Sequence, residues 1–356
     1  MFYNPKMNLC RDLAVLFVAS YFPYGQQIRI CDPMTGSGVR AARYLLEPHN
    51  VAAVLAADKD PSSVAAAKRT VMLNDLGDAA TVIESDANLL MLQNLDRRFD
   101  LVDLDPFGSP VPFFESALSA TVDGGILAAT ATDMGPLSGA RPAACFRKYG
   151  IRSIRTEFEK ELAVRILAGC LAGISGRIKL GITIVFAHAT DHYARIYAKV
   201  KKGKAAANAS TRLLGFLEYC PKCLMRSAAK SIESIQMTCE VCGSRVNVVG
   251  PIWLDALWDR NTVKNMEQRI PTLTSTRISE AQTILSRISE EINTPAFHYT
   301  TDALASALKT KPLRMAGILL ALRDKGRLAS RTHFNPTGFR TDASIGEISE
   351  LLRNLT

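Results

Sequence analysis

Phe99-Asp100-Leu101-Val102-Asp103-Leu104-Asp105-Pro106-Phe107-Gly108-Ser109-Pro110 is the stretch on which the reading of the whole chain turns. Its first half is an apolar run with acids at alternate positions, the pattern of a buried strand whose polar groups gather toward its end. Pro106 lacks the N–H that a sheet ladder needs and pushes Asp105 toward extended backbone. Gly108 and Pro110 keep the following chain out of a helix. A carboxylate, a proline carbonyl and a phenyl ring are therefore expected together at the carboxyl edge of a sheet, where open α/β sheets bind ligands. That trio suits a planar exocyclic amine, whose delocalised lone pair is a weak nucleophile. A carboxylate and a carbonyl that accept its N–H groups hold the lone pair toward an electrophile. An aromatic ring stacks on the base that carries the amine. The bland alternative has Asp105 capping a turn and Phe107 in the core, and the sequence upstream decides between them.

Upstream lies Ile28–Asp32, a short strand, then the loop Pro33-Met34-Thr35-Gly36-Ser37-Gly38-Val39-Arg40-Ala41 and a helical Ala42–Leu46. A strand, a glycine loop and a helix start form a cradle for a polar or anionic small molecule. Val51–Ala57 reads as a strand ending in Asp58, twenty residues beyond Gly38, where an acid accepts hydrogen bonds from ribose hydroxyls. A helix (Pro61–Leu73), a strand (Thr81–Ser85) ending in Asp86-Ala87, the Phe99–Asp105 strand and a further strand, Gly125–Thr130, follow. This βαβαβ alternation predicts a doubly wound parallel sheet. Gly36-x-Gly38-x-x-Ala41 with Asp58 fits a dinucleotide fingerprint and also the looser Asp-x-x-x-Gly-x-Gly loop used for S-adenosylmethionine. Asp32 favours the second, because an acid there repels a pyrophosphate but serves a zwitterionic amino acid. Asp105-Pro106-Phe107 favours it again, since hydride transfer needs no such cluster. The expected small molecule is a methyl donor.

With 356 residues the chain has room for two or three domains of ordinary size. Its 47% hydrophobic content suits a soluble globular chain, and no apolar run approaches the ~18 residues that span a bilayer. Leu13–Phe22 follows Arg11-Asp12 directly and has no small-residue cleavage site after it, so it reads as part of a buried helix, Arg11–Tyr21, in a cytoplasmic protein. The net charge of +9 points weakly to a polyanionic partner. Its placement says more: Ala296 to Thr341 holds eight Lys and Arg against two acids.

In the second half, Thr156–Ala172 is helical, and Lys179–Ala187 and Tyr193–Val200 read as an antiparallel edge. His188 and His192 belong to the turn between them rather than to a metal site. The basic stretch Lys201–Ala209 reads as a linker at a domain boundary. Beyond it, Cys220-x2-Cys223 and Cys239-x2-Cys242, fifteen residues apart, form a zinc signature. Four thiolates leave no open position, so the metal is expected to be structural, stapling a ribbon too short to bury its own core. The other four cysteines, Cys10, Cys31, Cys145 and Cys170, read as buried thiols. Ser279–Ile292, Thr301–Leu308 and Pro312–Lys325 read as helices. A basic hairpin, Gly326–Arg340, follows, a winged-helix pattern in which His333, Phe334, Phe339 and Arg340 are the expected RNA contacts.

Phe2-Tyr3-Asn4-Pro5-Lys6-Met7, Arg11-Asp12, Gly36-Ser37-Gly38-Val39-Arg40, Asp103–Pro110, Ala131-Thr132-Asp133, Arg147-Lys148-Tyr149, Asp191-His192-Tyr193, Gly250-Pro251-Ile252-Trp253-Leu254 and Thr332–Gly338 together resemble the tRNA guanine-26 N2-dimethyltransferase family, in order along the chain. Members usually carry a short β-rich segment ahead of the Phe-Tyr-Asn-Pro motif, on which this sequence opens. The resemblance implies a Rossmann-like class I S-adenosyl-L-methionine methyltransferase domain (1–204) and a C-terminal tRNA-binding α+β domain (205–356). The latter would contain a zinc ribbon at 218–245 and a winged-helix-like part at 276–356. It implies donor-binding positions at Arg11, Arg40, Asp58, Asp86 and Ala87, a catalytic acid at Asp105 that, with Pro106, orients the amine and takes up its proton directly or later through water, and aromatics beside the target base at Phe107 and Phe2. The implied reaction moves methyl groups to the exocyclic N2 of guanine 26 in tRNA. Two alternatives stay open: a related RNA guanine-N2 or adenine-N6 methyltransferase, and a non-catalytic nucleic-acid-binding protein built from ribbon and winged helix.

Overall fold

A computed structural model describes residues 4 to 354 except 191, 274, 276 and 312. The first half is built on strands β1 (Ile28–Asp32), β2 (Val51–Asp58), β3 (Ala80–Glu84), β4 (Phe99–Leu104), β5 (Thr121–Ala131), β6 (Leu180–Thr190) and β7 (Tyr193–Lys202). They form one sheet in the order β3-β2-β1-β4-β5-β7-β6. β1 to β5 pair in parallel, and β7 pairs antiparallel with both β5 and β6. β1 and β4 are neighbours, with Ile30 opposite Leu101, so the strand order reverses between them. A crevice forms beyond the carboxyl ends of strands at such a reversal.

Helices α1 (Asn8–Tyr21), α2 (Val39–Leu46), α3 (Pro61–Leu73), α4 (Ala87–Gln93), α5 (Phe114–Ala120), α6 (Met134–Leu137), α7 (Pro142–Tyr149) and α8 (Glu159–Arg177) cover the sheet. Their ends follow local chemistry. Asp60 caps α3 by accepting from the Ser62 and Ser63 amides, with Pro61 at the first helical position. α7 starts on Pro142 and stops at Gly150, whose left-handed φ of 71° ends the helix while its N–H bonds the Phe146 carbonyl. α1 begins three residues earlier than the apolar pattern predicts, because a preceding 3-10 turn capped by the Asn4 side chain leads straight into it.

The expected linker at 201–209 is instead the end of β7 and a helix, α9 (Lys204–Thr211). α9 lies tightly on the outer strand: a Cβ on Gly181 would sit 2.2 Å from the Ala206 carbonyl oxygen. Basic residues and alanines read as solvated chain, but alanine has the highest helix propensity and the helix has a surface to pack on.

The second half starts with a small sheet of β8 (Leu214–Tyr219), β9 (Arg226–Ala229) and β10 (Asn247–Trp253), in the order β10-β8-β9. β10 runs across α8, where a Cβ on Gly169 would lie 2.9 Å from the Ile252 Cα. Then come α10 (Arg260–Arg269), α11 (Ile278–Glu291), β11 (Tyr299–Thr300), α12 (Thr301–Leu308), α13 (Met315–Asp324), β12 (Ala329–Arg331), β13 (Gly338–Thr341) and α14 (Ile345–Asn354). The succession α11-β11-α12-α13-β12-β13, with its sheet in the order β11-β13-β12, is a winged helix closed by one extra helix. One continuous hydrophobic core runs from Leu9 to Leu352 through both halves. Among the described residues, no helix is long and apolar enough to cross a membrane.

Candidate active site

The crevice is lined by the ends of β1, β2 and β4 and by the loop into α2. The Thr35 amide donates to Ala57 O at 2.8 Å, pinning the loop to β2, and the Thr35 hydroxyl donates to Asp32 Oδ2 at 2.8 Å. The Gly36 amide donates to Asp58 Oδ2 at 3.0 Å. Gly38 holds a left-handed φ of 75° at the start of α2, and a Cβ there would lie 2.8 Å from the Ala67 Cα on α3. Only glycine meets both constraints, so the loop packs against α3 and leaves a helix N-terminus open to a ligand. Asp58 is half-buried at the end of β2, and Asp86 caps α4 by accepting from the Asn88 and Leu89 amides at 2.9 and 3.1 Å. Ala87 is buried behind it. Arg11 is buried on α1, where its Nη2 donates to Asn4 O at 3.0 Å and to Asn8 Oδ1 at 2.5 Å.

Asp105 follows β4 directly, with its side chain 21% exposed. Arg40 Nη2 donates to its Oδ2 at 2.5 Å, and Arg40 Nη1 lies 3.4 Å from Asp103 Oδ2. Asp103 is fully buried and also accepts from Tyr44 Oη at 2.5 Å and Arg195 Nη2 at 2.7 Å. Arg195, equally buried on β7, donates further to Thr130 Oγ1 at 2.6 Å and Tyr197 Oη at 2.8 Å. Burial by itself would raise the Asp105 carboxyl, but Arg40 and Arg195 outweigh it and hold it below the ordinary carboxylate range. Asp32 goes the other way. Burial, then the charge of Asp103, push it up to about 7. The two carboxyls thus part because burial and the charge of Asp103 outweigh Arg40 and the Thr35 hydroxyl at Asp32, whereas Arg40 and Arg195 outweigh burial at Asp105. Phe107 is 85% exposed, so the core alternative for its ring is excluded. Pro106 is buried, and the Gly108 amide donates to Thr132 Oγ1 at 2.7 Å, fixing the loop to the end of β5. Phe2 lies outside the described residues.

The four sulfurs of Cys220, Cys223, Cys239 and Cys242 lie within 4.8 Å of one another, with Cys220–Cys242 at 3.5 Å and Cys223–Cys239 at 3.6 Å. Tetrahedral thiolates around zinc at ~2.3 Å stand about 3.8 Å apart, so this donor set fits the ion with little movement. The first pair follows β8 and the second precedes β10, as two knuckles require. His188 is buried in β6 with its Nδ1 3.5 Å from Tyr193 Oη, and no metal-holding group among the described residues includes it.

The expected RNA contacts are corrected by burial. His333 is 7% exposed, Phe334 2%, Phe339 0% and Arg340 1%. Arg340 Nε donates to Glu291 Oε2 at 2.5 Å and its Nη1 donates to Glu161 Oε1 at 3.1 Å. His333 Nδ1 is 2.5 Å from Glu291 Oε1, and His298 Nδ1 is 3.0 Å from Glu161 Oε2. Arg165 donates to Glu161 at 3.0 Å and to Trp253 O at 3.0 Å. The motif that reads as a basic, aromatic RNA surface is the inner face of the wing, bonded to α8 and α11. The exposed cations there are Lys309, Lys311, Arg314, Arg323, Lys325 and Arg331. Sequence reasoning missed Tyr44, Arg195, Glu161 and Glu291. The one available signal was a Glu and an Arg four apart at the start of the otherwise apolar α8.

The sequence profile of the family described as N2,N2-dimethylguanosine tRNA methyltransferase matches residues 1–353. The tRNA (guanine(26)-N(2))-dimethyltransferase of Methanosphaera stadtmanae is 33% identical over 360 residues, spanning 100% of this chain and 91% of that protein. The tRNA (guanine(26)-N(2)/guanine(27)-N(2))-dimethyltransferase of Aquifex aeolicus is 32% identical over 362 residues, spanning 100% and 90%. The solved complex structure of Trm1 from Pyrococcus horikoshii with S-adenosyl-L-methionine superposes with a TM-score of 0.89 at 32% identity, covering 98% of this chain and 94% of that one. Strand order, glycine loop and rim acid define the class, a Rossmann-like methyltransferase, followed here by a four-cysteine ribbon able to hold zinc and by a winged helix. Within that class, the chain belongs to the N2,N2-dimethylguanosine tRNA methyltransferase family.

Proposed function

We propose that this chain is an S-adenosyl-L-methionine-dependent tRNA (guanine-26 N2)-dimethyltransferase. The observation that carries the reading is the Asp105 carboxylate, bonded to Arg40, followed two residues later by the exposed ring of Phe107 at the end of β4, in a chain matched to this family over residues 1–353. The donor supplies an electrophilic methyl carbon on a sulfonium. The glycine loop fits its amino-acid end, Asp58 its ribose, and Asp86 with Ala87 its adenine. Arg11 and Arg40 would serve the methionine end, and Arg40 would do so while bonded to Asp105.

Asp105 accepts one N2–H of the guanine and the Pro106 carbonyl accepts the other, leaving the lone pair in line with the methyl carbon. The N–C bond forms as the S–C bond breaks, and the N2 proton passes to water. A carboxylate held below its ordinary range is a poor base, so Asp105 orients rather than deprotonates. One N–H remains for a second round. A base within folded tRNA must be flipped out at a cost of a few kcal/mol, which stacking on Phe107 partly offsets. Residues 1–204 carry this chemistry and 205–356 anchor the tRNA, through the exposed cations around α13 and β12 and not through the four buried residues.

Bulk tRNA incubated with labelled donor, then digested to nucleosides, tests the reading. N2,N2-dimethylguanosine mapped to position 26 is the expected product. Label in adenine, or in ribosomal RNA alone, favours another amine; no label in any RNA overturns catalysis.

A further inference from the structure

A second concave site opens on the same rim. β5 neighbours β4, and the chain leaving β5 joins α7 around a cleft of about 480 Å³. That size falls within the ~300–1,000 Å³ range of small-ligand sites. Its floor is apolar, from Met134, Pro136 and Ala144, and its rim is cationic, from Arg141, Arg147 and Lys148. Thr132 forms one wall and is bonded both ways to Gly108, at 2.7 and 2.9 Å. The cleft wall is therefore bonded to Gly108, the chain neighbour of Phe107.

The sequence builds this site deliberately. Cys145 and Tyr149 bury the inner face of α7, so residues 141, 144 and 147–148, at helical spacing, line its outer face. Asp133 lies in the cleft, but its carboxylate is taken by Lys148 Nζ at 2.8 Å and Tyr149 Oη at 2.5 Å and does not repel an anion. Arg141 and Arg147 are exposed, and no side-chain hydrogen bond or ion pair to a described residue engages either. Two unengaged guanidiniums over an apolar floor match one nucleotide, with its phosphate in the guanidinium forks and its base on the floor. We propose that this cleft binds the nucleotide flanking the methylated guanine in the substrate RNA, holding the backbone on one side while the target base is turned onto Phe107. The inference rests on the proposed function.

The test compares wild type with Arg141→Ala/Arg147→Ala and, separately, Ala144→Trp, which fills the floor without changing charge. A control, Arg97→Ala/Arg177→Ala, removes equal charge from exposed positions at the amino-terminal rim. The readouts are tRNA Kd across a salt series, donor Kd, and KM and kcat for tRNA. The arginine pair is expected to raise KM about tenfold with kcat within about twofold and donor Kd unchanged. It is also expected to flatten the slope of log Kd against log salt by about one, for the single phosphate that the pair neutralises. Ala144→Trp is expected to raise KM and leave the slope alone. If that variant does not fold, the arginine pair decides. The proposal is overturned if the arginine pair leaves KM within about twofold of wild type, or if the control pair matches its effect. In either case methylation by wild type still stands. If wild type transfers no methyl to tRNA, the proposed function fails and this inference with it.

Discussion

Asp105 has the electrostatics of an acceptor, because Arg40 keeps it ionised at the rim. Asp105→Ala is expected to lower kcat by about 10²–10³, the loss typical of one positioned electrostatic group, with donor Kd little changed. Near-normal turnover with intact donor binding would remove it from the reaction. Asp32 makes a different prediction. Its folded-state carboxyl is raised to about 7 from an ordinary 3.8, so between those values the folded protein keeps a proton that the unfolded chain releases. Stability therefore falls as pH rises through that window, by up to about 4 kcal/mol from this group. Urea titrations near pH 5 and pH 8 should show that Asp32→Asn removes the slope. A larger slope in the variant would contradict the assignment of Asp32 as a buried, protonated carboxyl.

At the scale of elements, the ribbon β8-β9-β10 and the wing depend on different forces. The ribbon is three short strands drawn together by two cysteine knuckles, so its order should depend on the ion. Cys220→Ser is expected to lower bound zinc from roughly one per chain to near none and to lower the thermal midpoint, read by metal mass spectrometry and calorimetry. A folded, metal-free wild type would rule the site out. The wing presents its cations from α13 and β12 while Phe334, Phe339 and Arg340 face inward. Arg314→Ala with Arg331→Ala should flatten the salt dependence of tRNA binding by about one per residue. Substituting Phe339 should instead cost stability. Deleting residues 295–356 outright would confuse the two, because it also strips Arg340 from Glu161 on α8.

Across the whole molecule, the two halves meet on a buried ionic node: Glu161 and Arg165 from α8, Glu291 from α11, Arg340 from β13, with His298 and His333. Such a node need not stabilise more than an apolar contact of the same shape, but removing one partner strands the others. Glu161→Ala leaves Arg165 and Arg340 buried and short of a counter-charge, and should cost about 3–5 kcal/mol in denaturant titrations. Despite burial, Arg340 and His333 hold Glu291 down at about 2, against an ordinary 4.5. Its contribution, about 3 kcal/mol, is complete above the unfolded value and fades as pH falls from about 4.5 to 2. A Glu291→Gln variant should lose that part of the acid sensitivity. α8 packs on the sheet that carries Asp105 and on β10 of the ribbon, and the node ties it to the wing as well.

The parallel sheet, the glycine cradle, the cysteine tetrad and the placement of Asp105 at a strand's end could all be read from the residues alone. Those features are set by local chemistry: hydrophobic period, glycine and proline geometry, metal-ligand spacing. α3 and α12 were legible to the residue because caps and prolines mark their ends. The helix at Lys204–Thr211 was not, since the surface that steadies it comes from β6. The inward face of Thr332–Arg340 was hidden for the same reason. A basic, aromatic hairpin has the same composition whether its charges meet phosphates or two buried glutamates from helices about fifty and one hundred and eighty positions earlier. Which face of an element turns inward depends on partners distant in the chain, and where those partners stand is settled by the folded molecule.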